Sequence, residues 1–148
     1  MLRAVMLSTG LSLAIVGAAS AVGSDDDTPP TPTQTTTECA DGAVWDVETA
    51  TCVQIEETGL VTDPAALTRT VRELAYAGRH QDALALLARA PDQNDSMVLT
   101  YKGFSTRSLG DMATGMAYYD QALAADPDNL LARAYMGMAY LITGQPDR

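Results

Sequence analysis

The only two cysteines, Cys39 and Cys52, are the residues of this sequence with the clearest chemical role. They lie thirteen positions apart, around a turn-forming Asp-Gly pair at 41–42 and a short strand-forming run that contains Trp45. Disulfides persist in exported proteins, and this spacing differs from the Cys-x-x-Cys pattern of redox enzymes. We therefore predict a structural disulfide that closes a β-hairpin over residues 39–53, with Trp45 as its one side chain suited to recognition.

No set of residues suited to catalysis is found in the sequence. The single histidine, His80, follows a Gly-Arg turn, where we expect it to be exposed. One histidine cannot build a metal site when both cysteines are bridged to each other. Neither the Gly-x-Ser-x-Gly elbow nor the phosphate-binding Gly-x-x-x-x-Gly-Lys motif occurs. The sequence therefore predicts no enzyme activity, no metal and no other cofactor.

The net charge of −10 is unevenly distributed. Residues 22–57 contain nine acidic residues and no lysine or arginine, whereas residues 58–148 contain ten acidic and eight basic residues. Proteins that bind nucleic acid or an anionic membrane surface usually carry a basic patch, and this sequence has none. We therefore predict a protein or peptide partner and no nucleic acid.

The first 21 residues have the composition of an export signal. Arg3 supplies a positive charge, an apolar run follows over 5–18, and small residues at 19–21 match a cleavage site. An uncleaved membrane anchor is the alternative, although several serine, threonine and glycine residues make this run weakly apolar for a spanning helix. We predict cleavage, export and a periplasmic location, with membrane contact only if the leader is retained.

Two linkers are predicted on either side of the hairpin. Residues 22–38 are rich in aspartate, proline and threonine and poor in apolar side chains, which favours a disordered, solvated tether. Residues 54–61 form a second, shorter linker. Because of this separation, we expect no apolar seam between the hairpin and the rest of the chain.

The region from residue 62 onward is predicted to be α-helical. Asp63-Pro64 is a typical helix start, and Leu67, Val71 and Leu74 follow it at helical spacing. Further helices are predicted over 81–90, around Tyr101 and Tyr119, and from Leu130 to Thr143. Between the later helices, Gly110 suits the left-handed residue that ends a helix, and Asp111 suits the cap of the next.

Part of this helical region repeats with a period of 34 residues. The residues that coincide after a shift of 34 include Tyr101 and Tyr135, Gly103 and Gly137, and Gly110 and Gly144. A period of this length is typical of stacked helix–turn–helix units, each too small to bury its own apolar face. At Gly103 and Gly137 we expect the missing side chain to let a neighbouring helix approach closely.

These residues resemble the tetratricopeptide repeat. The signature positions that match are Gly103, Gly110, Tyr119, Ala122, Pro127, Gly137, Tyr140 and Gly144. The chain departs from the family pattern at Lys102, Thr106 and Gly115. The resemblance implies an all-α repeat solenoid of about two and a half units. These units would be a degenerate one over 62–95, a full one over 96–129 and an incomplete one over 130–148.

In the family that the chain resembles, the first helix of each pair lines a groove that holds a partner's peptide. Carried over position by position, the groove residues would be Met97, Thr100, Phe104, Arg107, Ser108, Leu131, Ala134, Met138 and Leu141. The alternative is that Phe104, Met138 and Leu141 belong to the core. Apolar residues of the incomplete unit lack a covering helix, which predicts either a truncated sequence or a homodimer formed through this unit.

Three functions are compatible with these features. The first is an exported repeat adaptor that binds a protein or peptide in a shallow groove. The second is a cell-wall or carbohydrate-binding protein that uses the Trp45 hairpin, with the helices as a platform. The third is an accessory subunit of an enzyme, or a degraded enzyme. The repeat signature favours the adaptor.

Overall fold

The computed structural model describes residues 28–145, which form a mostly helical fold with one small β-hairpin. The predicted leader and residues 22–27 of the first linker lie outside the described residues. The elements are α1 (Gln34–Thr37), β1 (Ala43–Asp46), β2 (Thr51–Gln54), a 3₁₀ turn (Leu60–Thr62), α2 (Pro64–Tyr76), α3 (His80–Leu87), α4 (Ser96–Ser108), α5 (Met112–Ala125) and α6 (Leu130–Ile142). None of the helices within 28–145 has the length and apolar character needed to cross a membrane.

Local signals account for where most of the long helices begin. The side chains of Asp63, Asp95, Asp111 and Asn129 each accept a hydrogen bond from a backbone N–H of the first turn of α2, α4, α5 and α6. The turn between α4 and α5 has Gly110 at φ +103°, a left-handed conformation that favours glycine. The predicted roles of Gly110 as helix end and Asp111 as cap are therefore confirmed.

The helices pack in sequence order around one main apolar core. Three-residue turns join α2 to α3 and α4 to α5, so that each pair forms a helical hairpin. Helix α3 contacts α4, α5 contacts α6, and α4 also contacts both α2 and α6. The largest fully buried side chains of the helices are Tyr101, Tyr119, Leu74, Leu86, Leu87 and Val71. Their burial provides the main stabilisation of the fold.

The predicted disulfide and hairpin are both present. Cys39 and Cys52 are bonded, with their Cα atoms 5.5 Å apart. Strands β1 and β2 pair antiparallel, and Val44 lies opposite Val53. Because successive side chains of a strand point to opposite faces, Val44 is fully buried whereas Trp45 lies on the other face and is half-buried.

The hairpin is joined to the helical core, contrary to the prediction of no apolar seam. Val44 and Ile55 are 0% and 1% exposed and belong to the same buried cluster as Leu67, Val71 and Leu74. The second predicted linker therefore contributes Ile55 to the core. A two-stranded hairpin is marginally stable alone, and its packing on α2 and α3 removes that weakness.

Arg79, in the turn between α2 and α3, makes most of the polar contacts that hold the hairpin region. Its guanidinium donates to the backbone carbonyl oxygens of Thr35, Cys39, Ala40 and Ala43 at 2.7–3.2 Å. It also pairs with the carboxylate of Asp82, which accepts a hydrogen bond from the backbone N–H of Gly42 at 3.0 Å. One arginine therefore binds the turn before β1, the start of β1 and α1.

The described part of the first linker is also ordered against the helices, where an extended tether was predicted. Glu73 of α2 is only 7% exposed, and its carboxylate accepts hydrogen bonds from Thr33 and Thr36. Thr33 in turn caps α1, accepting from the backbone N–H of Thr35. A buried carboxylate needs such donors, and the threonines of the linker supply them.

Candidate functional site

One face of α6 carries large apolar side chains that are exposed to solvent. Leu130, Leu141 and Ile142 are 67%, 66% and 68% exposed, and Met138 is 42% exposed. Ala134 and Gly137 lie between them at helical spacing and are exposed as well. We call this surface the α6 face; its residues are Leu130, Ala134, Gly137, Met138, Leu141 and Ile142. Contiguous exposed apolar surface of this kind is typical of an interaction site.

On α4, one 34-residue period earlier, the position that corresponds to Gly137 is covered by α5. A Cβ atom built on Gly103 would lie 2.6 Å from Cε1 of Tyr119 and 3.0 Å from the carbonyl oxygen of Gly115. Gly103 therefore permits the close approach of two helices, as predicted. At Gly137, the equivalent position of α6, no heavy atom lies within 4 Å of the added Cβ. The same prediction is wrong at Gly137, because nothing within residues 28–145 covers it.

Tyr119, whose ring lies beside Gly103, is fixed by burial and by a hydrogen bond. Tyr119 is fully buried, and its hydroxyl accepts a hydrogen bond from Nε of Arg107 at 2.9 Å. Burial raises the pKa of Tyr119 to about 12, and the hydrogen bond and positive charge of Arg107 oppose part of that rise. The Arg107 guanidinium also lies 5.1 Å from the centre of the Phe104 ring.

Phe104 and Arg107, two predicted groove residues, are largely engaged in packing. The Phe104 ring stacks on Tyr135 with 4.8 Å between centroids, and Tyr76 and His80 lie 5.7 and 5.6 Å away. His80 is half-buried rather than exposed, and burial followed by the charge of Arg107 lowers its pKa. Burial and the hydrogen bond with Tyr76 raise the pKa of Tyr135. This cluster joins α2, α3, α4 and α6.

Thr100 and Leu131, also predicted to line a groove, lie in the interior. Thr100 is fully buried, donates to the carbonyl oxygen of Ser96 at 2.7 Å and accepts from Nδ2 of Asn129 at 3.0 Å. Leu131 is 6% exposed and belongs to the main core. Asn129 thus both caps α6 and ties it to α4, a second role that sequence spacing does not reveal.

The remaining predicted groove residues do not form one continuous surface. Met97 is half-buried beside a small cavity of about 200 Å³ against the start of α2. Ser108 is exposed at the end of α4. The structure brings together Ala134, Met138 and Leu141, all on the α6 face. Of the signature residues, Ala122 is fully buried, Tyr140 half-buried and Pro127 exposed.

A second open surface lies between the hairpin and α2. Two adjoining cavities of about 410 and 420 Å³ share Val47, Leu60, Asp63 and Ala66. We call them together the Trp45 cleft; its other lining residues are Thr33, Gln34, Thr35, Trp45, Asp46, Glu48, Thr58, Gly59, Thr62, Arg69, Thr70 and Glu73. Sequence spacing singled out Trp45 but not the α2 wall opposite it.

The two candidate sites within residues 28–145 are open surfaces. Within 28–145, no group of three or more histidine, cysteine, aspartate or glutamate side chains could hold a metal ion. Comparison with protein-family models, curated proteins and solved structures finds no match to this chain. The fold defines the chain as a mostly helical protein with a disulfide-closed hairpin, and its functional candidates are the α6 face and the Trp45 cleft.

Proposed function

We propose that this chain is an exported, tetratricopeptide-like interaction protein that binds an α-helix of a partner protein on the α6 face. The exposed apolar side chains of that face are the observation that carries the proposal. Covering Leu130, Leu141 and Ile142 would contribute about 1–2 kcal/mol for each side chain, given the fraction of each that is exposed. The export-type leader and the disulfide support an oxidising compartment.

We propose a helix as the ligand of the α6 face because α4 and α6 have equivalent positions in the repeat and α4 already packs against a helix, α5. These helices carry the two copies of the 34-residue period, and α5 packs closely on α4 at Gly103, whose equivalent in α6, Gly137, is open. A partner helix that packs on α6 as α5 packs on α4 would place a ring beside Gly137, where Tyr119 lies beside Gly103. Helix-in-groove recognition uses side chains spaced in this way.

The chemistry of the partner follows from how the two faces differ. The α6 residues Leu130, Ala134, Leu141 and Ile142 stand where α4 has Ser96, Thr100, Arg107 and Ser108. Leu141 cannot donate the hydrogen bond that Arg107 gives to the Tyr119 hydroxyl. The ring that docks beside Gly137 should therefore be phenylalanine rather than tyrosine, because a buried hydroxyl without a partner is costly.

A synthetic helix tests this proposal. The probe is a fluorescently labelled peptide with the sequence of residues 111–126 in which the position of Tyr119 is phenylalanine. We expect saturable anisotropy on addition of the protein, and weaker binding by the peptide that retains tyrosine. In the protein, Leu141→Arg should abolish binding, whereas Leu109→Arg should not, because Leu109 is a 48% exposed leucine outside the α6 face.

Two outcomes would contradict the proposal. The first is equal binding of the probe by the Leu141→Arg and Leu109→Arg variants, which would place the contact elsewhere. The second is a stable dimer in analytical ultracentrifugation that Leu141→Arg dissociates, because the face would then be occupied by a second copy of this chain.

A further inference from the structure

We propose that the Trp45 cleft is a binding site for a short, uncharged oligosaccharide. This site is separate from the α6 face and does not depend on a helical partner. The cleft has the size of pockets that hold small ligands, with adjoining volumes of about 410 and 420 Å³. The two volumes share four lining residues and so lie side by side, and we take them as adjoining subsites for the linked rings of the ligand.

One side of the cleft is apolar and remains open to solvent. Trp45 is half-buried, and Val47 at the end of the hairpin is 82% exposed. Leu60 of the 3₁₀ turn lines both cavities. An indole beside aliphatic side chains offers a flat apolar surface with a polar N–H at its edge. A sugar ring has the matching character, with C–H groups on its face and hydroxyl groups around its edge.

The polar side of the cleft offers acceptors that the protein holds in place. Oδ1 of Asp46 accepts from the backbone N–H groups of Glu48 and Thr49 at 2.8 and 3.1 Å. Oδ1 of Asp63 accepts from Ala65 and Ala66 at 2.9 and 3.2 Å. Within the described residues, the second oxygen of each carboxylate takes no protein hydrogen bond and is available to a ligand.

The cleft also offers donors, and the mixture of charges selects the ligand. Gln34 of α1 and Arg69 and Thr70 of α2 line the cavity of about 410 Å³, and Arg69 forms no ion pair with another described residue. The carboxylates of Asp46, Glu48 and Asp63 disfavour an anionic ligand, and together with the Arg69 guanidinium they offer a neutral ligand both acceptors and a donor. Hydroxyl groups both donate and accept, so an uncharged polyol satisfies both kinds of partner.

The walls of the cleft are preorganised. The backbone N–H of Trp45 donates to the Thr35 hydroxyl at 3.1 Å, which fixes β1 against the segment that contains α1. Both oxygens of Glu73 are occupied by Thr33 and Thr36, so this carboxylate supports the wall rather than the ligand. A site held in this way loses little conformational freedom on binding.

Fluorescence provides a direct test because Trp45 is the only tryptophan of the chain. The probes are cellotetraose, chitotetraose and maltotetraose, each titrated into the oxidised protein at up to millimolar concentration. We expect at least one of them to change the Trp45 emission saturably. Calorimetry with that probe should show about tenfold weaker binding for Arg69→Ala and for Trp45→Phe. Arg133→Ala, which removes an exposed arginine of α6, is the matched control and should bind like the parent protein.

Three results of these titrations would contradict an oligosaccharide site in the Trp45 cleft. Absence of a saturable change with all three sugars, in protein shown to be folded by circular dichroism, would overturn the proposal. Equal affinity in the parent, Arg69→Ala and Trp45→Phe proteins would also overturn it, because the sugar would then bind elsewhere. Saturable binding of spermidine or inorganic phosphate, with none of any sugar, would assign the cleft to a charged ligand instead.

Discussion

Replacing Gly103 by alanine should destabilise the protein, whereas the same change at Gly137 should stabilise it. These two glycines lie one repeat period apart, in the interior of α4 and α6. Alanine is the better helix former by about 0.5–1 kcal/mol in an open helix. At Gly137 no heavy atom lies within 4 Å of the new methyl group, so that gain should be obtained in full.

At Gly103 the methyl group has no room. It would lie 2.6 and 2.7 Å from two ring carbons of Tyr119 and 3.0 Å from the Gly115 carbonyl oxygen. The Tyr119 ring cannot easily move away, because it is fully buried and its hydroxyl accepts a hydrogen bond from Arg107. Overpacking costs about 1–3 kcal/mol, which exceeds the gain in helix propensity. We expect Gly103→Ala to lower the free energy of unfolding by about 1–2 kcal/mol and Gly137→Ala to raise it by about 0.5–1 kcal/mol.

Urea denaturation followed by circular dichroism measures both changes under identical conditions. The slope of unfolding free energy against urea should stay constant, so that the midpoints report stability alone. Adding Tyr119→Leu to the Gly103→Ala background should show favourable coupling, because the smaller side chain can move aside. If both alanine variants gain stability equally, then α4 and α5 do not approach closely at Gly103 and the reasoning is wrong.

Three further predictions concern the hairpin and the core. Arg79→Ala should lower the unfolding free energy by about 2–4 kcal/mol in urea melts, because it removes the guanidinium that pairs with Asp82 and donates to four backbone carbonyl oxygens. An unchanged midpoint would contradict this. Reducing the Cys39–Cys52 bond should lower the free energy of unfolding, followed by the helical signal, by up to about 3 kcal/mol, because the hairpin shares the core. Helices that melt unchanged after reduction would refute the shared core. Burial raises the pKa of Tyr119 from 10.0 to about 12, so the folded state holds that proton more tightly than the unfolded chain and stability should fall as pH rises from about 10 to 12. Tyr119→Phe should reduce this loss in pH-dependent urea melts, and a variant with the parent slope would exclude Tyr119 as a cause.

Structural features that depend on residues close in sequence were predicted well. The start of α2 at Asp63-Pro64, the turn at Gly110-Asp111 and the start of α6 after Asn129 all follow from side-chain caps and glycine conformation. The disulfide followed from the number and spacing of the cysteines. Such signals act over a few positions, so the order of residues contains them almost completely.

The candidate site was predicted only in part, because it depends on what packs against each helix. Thr100 and Leu131 share helical faces with exposed residues in the sequence pattern, yet both are buried in the structure. Helical periodicity assigns a residue to a stripe, but the angle at which the next helix crosses decides how much of that stripe is covered. The sequence predicted that apolar residues of the incomplete unit lack a covering helix, but only the packing of α6 decided that Leu131 is buried while Leu130 and Leu141 are exposed.

By itself, the sequence determined the helical character of residues 64–142, the helix caps and turns, and the disulfide, because these arise from propensities and contacts within a few residues. Only the tertiary structure decided that Arg79 would bind carbonyl groups 36–44 positions away, and that the linker threonines would satisfy Glu73. It also distinguished Gly103 from Gly137, which have the same residue type and the same place in the period. The physical reason is that hydrogen-bond satisfaction and close packing depend on which distant groups share a space, and local patterns do not encode that distance.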